Sequence, residues 1–462
     1  MERLPIPDAA WLLIEGRETP MHVGGLQLFE FPDGAPRNFL ADLGTSFRAD
    51  VEIRPPFNNR LSSPYGRGGM FSWTRDDQVD LDYHVRHSAL PKPARVRELF
   101  VLISRLHSTL LDRHRPLWES HLIEGLRGKR FAMYTKVHHS VFDGVGAMRT
   151  MQAMFSPDAD ERDRPPPWAI GAPEAPVRER HTDDERSMFD VAAEVLAKQA
   201  GAVGSLAGAA RALGSQFISK ARGVAEESIP FQAPKSILNP RITGSRRFAA
   251  DDFDFERIKS VGKAYDATVN DVIMAMCAGA LREYLLELDA LPDQPLIAMV
   301  PVSIRQEGAG SRGNALSMLL ANLATDEPDP VARIGRIKAS MDRGKERLSS
   351  MNQAELVNYA VALTAPTMFG ALIGTAGRGR PPVNVVISNV PGPRDPLFLN
   401  GAAMTGFYPV SLLVQGQALN ITLTSYVDKM TFGITADRRS LPSVQRLLVH
   451  LEHVLAALEK RA

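Results

Sequence analysis

From Arg164 to Ser187 the chain reads RPPPWAIGAPEAPVRERHTDDERS, a run of prolines and charges without apolar periodicity that breaks 462 residues into two unequal halves. At about 100–200 residues per domain, this predicts a first domain over 1–164 and a last one over 237–462. The intervening 165–236 reads as a linker followed by an Ala/Gly-rich segment. There Phe189, Leu196, Val203, Leu206, Leu213 and Phe217 recur on one helical face. A long, loosely packed helix is the plain reading, and a lid or a membrane-surface helix are its alternatives.

Both halves alternate short β-rich runs with helical patterns. In the first, 23–29, 117–124 and 131–137 read as strands and 95–109 as a helix. In the second, strands are expected over 296–300, 316–323, 383–388, 418–426 and 429–436. Val444, Leu447, Leu448, Leu451, Leu455 and Leu458 line one face of a final helix. The pattern is that of a two-domain α/β or α+β protein with mixed sheets and flanking helices.

Composition excludes several classes. Lys plus Arg number 54 against 53 Asp plus Glu, so no basic stripe marks a nucleic-acid partner. With a single cysteine, Cys277, there is neither an internal disulfide nor a thiolate-rich metal site, and a reducing cytosol fits. The opening MERLPIPDAAWLLIEG has acids on both sides of a short apolar patch and no small-residue cleavage site, unlike a signal peptide. Leu356 to Gly377 is uncharged and about the length of a bilayer crossing, but Pro366 and Gly370 interrupt it. It reads as two buried helices or as an apolar wall for a lipid tunnel.

The chemistry is concentrated in KVHHSVFDGVGAM, Lys136 to Met148. Phe131, Met133, Thr135 and Val137 alternate with Ala132, Tyr134, Lys136 and His138, so neighbouring side chains face opposite ways. If this persists to the strand end, His138 and His139 diverge: one imidazole meets substrate while the other braces the structure. Ser140 and Asp143 have the spacing of a capping box, which predicts a helix from Val141 and places His139 at its positive end as a neutral base. Asp143 opposes that tendency unless a cation engages it. Gly144 leaves room for close backbone approach. A histidine suits proton removal from an alcohol attacking a carbonyl. The pair also has a purely structural reading. No metal site is expected, since no third ligand accompanies His139 and Asp143.

The run from His138 to Gly144 resembles the HHxxxDG motif of the CoA-dependent acyltransferase superfamily. The whole chain is similar to the bacterial wax ester synthase/diacylglycerol acyltransferase family. The pieces that carry this are DAAWLLIE (8–15), PMHVGGL (20–26), LDYHVRHSALP (81–91), PLWE (116–119), VNDVIMAMCAGALR (269–282), PVSIR (301–305), GNALSMLLANLAT (313–325) and ISNVPGP (387–393). The resemblance implies two chloramphenicol-acetyltransferase-like domains with an active-site tunnel at their interface. It implies transfer of a long-chain acyl group from acyl-CoA to a fatty alcohol or to diacylglycerol, with no cofactor. His139 is then the base, with His138, Asp143 and Gly144 completing the motif. No acyl-enzyme is required, and Cys277 in an apolar helical pattern reads as an inert thiol.

Thr268 and Asp271 form another capping-box pattern, which makes Asp271 structural and leaves the Asn270 amide free to face a site. Arg305 is expected to pair with Asp143, or else to be a solvated cation at a strand end. Ser388 and Asn389 either shape the turn at Val-Pro-Gly-Pro or touch an oxyanion. Pro116, Leu117 and Trp118 pack in a core or line an acyl channel. Met148, Met151 and Met154 follow helical spacing and read as core. Competing functions are a condensation enzyme fed by a carrier protein and a non-catalytic protein of lipid droplets. Water-insoluble substrates imply a cytoplasmic protein held peripherally at the inner membrane or at droplets.

Overall fold

The computed structural model describes residues 2–49, 51–66, 70–142, 144–171, 233–305, 314–351 and 374–462, together with 355, 356, 359, 363, 364 and 370. In chain order the first half comprises β1 (Glu2–Arg3), α1 (Ile6–Ile14), β2 (His22–Glu30), α2 (Phe39–Arg48), β3 (Asn59–Leu61) and β4 (Ser72–Arg75). It continues with α3 (Leu81–His84), β5 (Val85–Ala89), α4 (Val96–His107), β6 (Trp118–Leu126), β7 (Arg130–His138), α5 (Gly144–Gln152) and α6 (Pro167–Ile170). The second half begins with β8 (Arg246–Asp254), α7 (Phe255–Ala264), α8 (Val269–Glu287), β9 (Ile297–Arg305), β10 (Asn314–Asn322) and α9 (Pro330–Ser349). It ends with β11 (Val385–Val390), β12 (Phe398–Leu399), β13 (Ala402–Val410), β14 (Leu419–Tyr426), β15 (Lys429–Asp437) and α10 (Arg446–Glu459).

Two six-stranded mixed sheets dominate, with strand orders β12-β13-β2-β7-β6-β5 and β10-β9-β11-β14-β15-β8, beside a small sheet β1-β4-β3. The alternation read from the sequence sorts the side chains of β7 as expected. Phe131, Met133 and Val137 enter an apolar layer with Leu40, Leu43 and Phe47 of α2, whereas Ala132 and Tyr134 enter another with Leu99 and Ile103 of α4. Burying a large apolar side chain contributes about 1.5–3 kcal/mol, so packing on both faces fixes this strand firmly in the middle of its sheet.

The sheets do not respect the division by sequence. β12 and β13 come from the second half yet complete the first sheet, with Ala403 opposite Glu30 and Val410 opposite Gly24. This crossing is absent from the sequence-based strands because Gly406 and Pro409, and a bulge between Met404 and Gly406, break the alternation of β13. β8, also unanticipated, is an edge strand whose amides at Arg246 and Phe248 donate to Ser108 and Ser104 beside and within α4, at 2.8 Å each. The open edge is thereby covered.

The proline run also starts later as a linker than its composition suggests. Trp168 is buried, donates its indole N–H to the Phe47 carbonyl at 3.1 Å and stacks on Trp118 with ring centres 4.9 Å apart. The first unit therefore extends at least through α6. The remaining linker and the Ala/Gly-rich segment lie outside the described residues. Of the stretch from Leu356, the described Leu356, Tyr359 and Leu363 are buried in the core of the second half. Among the described residues no helix is long and apolar enough to cross a membrane.

β13 also lies against the second sheet. Tyr426 donates its hydroxyl to the Met404 carbonyl at 3.1 Å, and Tyr408 donates to Asp252 at 3.0 Å. A β-carbon on Gly433 of β15 would be driven into the carbonyl oxygen of Pro409. Strand propensity alone favours alanine over glycine, but this close approach reverses the sign. Gly433→Ala is expected to lower stability by about 1–3 kcal/mol, read as a lower urea midpoint at unchanged slope; an equal or higher midpoint would refute the close approach.

Candidate active site

The end of β7 is built around buried charge. Lys136, fully buried, donates from Nζ to the carbonyls of Leu106 (3.1 Å) and Thr109 (2.8 Å) and lies 3.4 Å from Glu119 Oε2. Burial pulls the Lys136 ammonium below its usual range, with the Glu119 charge opposing. Burial alone would raise the Glu119 carboxyl, but contact with His121 and the charges of Lys136 and Arg86 outweigh it and hold it low. Burial also drives His107 down to about 3 and His84 to about 4. Those rings stay neutral at pH 7 and serve as hydrogen-bonding spacers, His107 between Tyr134 and the Ser411 carbonyl.

At the strand end the two motif histidines have different surroundings. The His138 N–H donates to the Leu117 carbonyl at 2.9 Å. Its ring is fully buried: Nδ1 accepts from the Ser140 N–H at 3.1 Å and lies 2.7 Å from Ser140 Oγ. The remaining proton therefore resides on Nε2, which stands 3.3 Å from Glu15 Oε1, an ion-pair distance rather than an aligned hydrogen bond. Glu15 in turn accepts from the Met21 N–H at 3.1 Å and from Arg113 Nε and Nη2 at 3.0 Å each. Burial would raise its carboxyl; contact with His138, the Met21 amide and Arg113 outweigh that and lower it.

His139 is only half-buried. Its N–H donates to the Met21 carbonyl at 2.8 Å, and its ring centre lies 4.4 Å from that of Trp11, tilted by 32°. Trp11 and Glu15 are four residues apart, on one face at the C-terminal end of α1. That single face addresses both histidines. In the sequence, the run DAAWLLIE pairs the two residues only through their spacing of four.

The helix after the motif begins at Gly144, not at Val141. Ser140 is not its cap, because its hydroxyl lies against the His138 ring while Val141 closes a turn on the His138 carbonyl at 2.9 Å. Four residues thus separate His139 from the first helical residue, Gly144, so His139 does not sit in the first turn, where a helix dipole acts. Asp143 lies outside the described residues, as does the side chain of Arg305, the last residue of β9, so their expected pairing does too.

In the second half, the Asn389 amide donates to Asn270 Oδ1 at 2.8 Å, joining β11 to the first turn of α8. With that oxygen engaged, the Asn270 N–H groups are directed elsewhere. Both residues are half-buried, as is Ser388, and Ser388 and Asn389 lie within β11, opposite Thr422 and Leu423. Asp271 is fully buried; its Oδ2 accepts from the Thr268 N–H (2.9 Å) and hydroxyl (2.6 Å) while its own N–H donates to the Thr268 hydroxyl oxygen (3.3 Å), and these reciprocal bonds form the expected capping box. Cys277 is sealed in the same helix, where burial pushes its thiol far above the ordinary range. Pro116 and Leu117 are buried, and Trp118 fills the core, donating to the Phe57 carbonyl at 2.8 Å and stacking on His84. Met151 and Met154 are core residues too.

Comparison with known proteins gives a consistent answer. Family models for the "wax ester synthase/diacylglycerol acyltransferase catalytic domain" and the "WS/DGAT C-terminal domain" match residues 4–273 and 312–459. A probable diacylglycerol O-acyltransferase of Mycobacterium tuberculosis is 46% identical over 454 residues, 98% of each chain. The O-acyltransferase WSD of Acinetobacter baylyi is 43% identical over 455 residues, 98% of this chain and 96% of the other. The solved wax ester synthase/diacylglycerol acyltransferase of Marinobacter aquaeolei matches with a TM-score of 0.80 at 44% identity, covering 100% of this chain and 99% of that one. A condensation domain of the calcium-dependent antibiotic synthetase shares the fold, at a TM-score of 0.57 and 17% identity.

Replacing Glu15 leaves Arg113 and His138 facing a neutral group. Glu15→Gln is expected to cost about 1.5–3 kcal/mol at pH 7 in urea melts. Because the folded carboxyl is depressed, its contribution is present above the ordinary glutamate value of 4.5 and lost as pH falls through the lower folded value. The gap between parent and variant should therefore narrow below about pH 4.5. A gap independent of pH would show that Glu15 is not held ionised.

Proposed function

Because this chain belongs to the wax ester synthase/diacylglycerol acyltransferase family and is an acyltransferase, we propose that it moves a long-chain acyl group from acyl-CoA to a fatty alcohol or diacylglycerol, with His139 as general base. The observation that carries this is the unequal burial of the two histidines: His138 is sealed and held by Ser140 and Glu15, while the next ring along is half-open. In the reaction, His139 accepts the hydroxyl proton as the alcohol oxygen bonds to the thioester carbon. The tetrahedral oxyanion then collapses, the carbon–sulfur bond breaks, and the imidazolium returns its proton to the CoA sulfur. Asn270 is our candidate to face the reacting groups, and Asp143, paired with Arg305, to hold the loop. The two chains meet at His139 from opposite sides of the junction between the sheets, which supplies proximity and orientation.

The same reading places the protein at a lipid surface. Arg113 donates to the carbonyls of Leu12 (2.6 Å) and Pro64 (3.4 Å), which draws the following residues, Leu13 and Tyr65, into one neighbourhood. Leu13 is 49% exposed, Tyr65 78% and Met70 55%, on or beside the helix that carries Trp11. These apolar side chains suit peripheral contact with the inner membrane or a lipid droplet.

Purified protein with palmitoyl-CoA and either hexadecanol or diolein should release CoA, and His139→Ala should lower the rate by roughly 10²–10⁴-fold. Undiminished turnover in that variant removes His139 as the base, and lipid binding without turnover in the parent favours a scaffold. In flotation with liposomes, the parent should rise with the vesicles and the Leu13→Glu/Tyr65→Glu variant should rise less. Parent protein that stays at the bottom of the gradient overturns peripheral attachment.

A further inference from the structure

α8 and α10 pack antiparallel, with three facing levels. At the first, a β-carbon on Gly279 would lie only 2.5 Å from Val454 Cγ2, so a glycine is what lets the helices come this close. One turn further along α8, Glu283 meets His450; another turn on, Glu287 meets Arg446. At the middle level, Glu283 Oε2 lies 2.8 Å from His450 Nδ1 and 3.6 Å from Nδ1 of His453, which is three residues further along α10. His450 is only 4% exposed, yet neither of its ring nitrogens makes an aligned hydrogen bond.

We infer that Glu283, His450 and His453 bind a divalent transition-metal ion of the zinc class, bridging the last helix to α8. Their donor atoms all lie within 4.8 Å of one another. An ion bound tetrahedrally at about 2.0–2.2 Å from each ligand separates its ligands by about 3.3 Å, and the distances from Glu283 fall on either side of that value. Two imidazoles and one carboxylate, with a fourth position open to water, form a donor set that zinc accepts. The outer ring of groups is also in place. Glu287 Oε2 faces the other nitrogen of His450 at 3.2 Å, and Arg446 Nε donates to that same oxygen at 2.6 Å. A carboxylate behind a ligating histidine orients the ring and raises its basicity. A simple ion-pair clasp between helices would instead align the Nδ1 proton on Glu283, which this geometry does not do. The site ties the C-terminal helix to the helix whose first turn holds Asn270, so the ion is structural in effect.

The test is calorimetric titration of chelator-stripped, full-length protein with zinc chloride, with Co²⁺ substituted to read the visible bands of a tetrahedral site. One equivalent should bind saturably and raise Tm. Glu283 and His453 are 39% and 62% exposed, so E283Q and H453A should fold normally. Each is expected to weaken binding by at least about tenfold, and E287Q by about tenfold through orientation of His450. Absence of saturable uptake, or uptake unchanged in both E283Q and H453A, overturns the proposal.

Discussion

A carboxylate with almost no access to water stays charged only when cations and donors surround it. Glu15 meets that condition by gathering three separate segments: the Arg113 guanidinium, the Met21 amide and the imidazole of His138. The end of α1, the start of β2 and the end of β7 are thereby fixed with respect to one another. Ser140 holds the opposite edge of the His138 ring, so the peptide between the two histidines has one immobile side. The orientation of His139 toward Trp11 follows from that. Neutral contacts would confer less, because hydrogen bonds to charged groups are roughly twice as strong as neutral ones.

The second constraint is topological. One strand, β13, pairs with β2 in the first sheet while its backbone rests on β15 in the second. The sheets are therefore not two independent modules on a flexible tether. Contacts such as Tyr408 to Asp252 and Tyr426 to the Met404 carbonyl run between them through buried polar groups, which tolerate little misalignment. The pairing of Asn389 with Asn270 acts similarly within the second half, fixing the start of α8 on the parallel strand β11.

Much of this was legible in the sequence, and the parts that were not have identifiable causes. Alternation in β7 gave the correct sorting of Phe131 and Met133 from Ala132 and Tyr134, because a strand buried on both faces must separate odd from even positions. The Thr268 and Asp271 spacing gave the capping box of α8. The identical logic misplaced the helix after HHxxxDG, since the Ser140 hydroxyl had a nearer partner in a buried imidazole. Local spacing cannot register such competition. Glu15 carries no local signal because its partners, Arg113 and His138, are roughly a hundred residues away in the chain. The sequence around Trp118 fits a core and a channel equally; the stack of Trp118 on Trp168 and His84 puts its ring in the core. β13 was hidden by its own bulge and proline.

The crossing of β13 has a bearing on how the protein is made. On the ribosome, β2 emerges early, but the strand that covers its outer edge follows only about 370 residues later. At synthesis rates of about 5–20 residues per second, that edge stays uncovered for roughly 20 to 75 s. Throughout that interval the nascent chain presents an unsatisfied ribbon of amides and carbonyls, the kind of surface that recruits other unfinished chains. The segment 165–236 is synthesised within that interval and accounts for part of it, so the order of synthesis leaves the edge of β2 to be protected by other means until β13 arrives.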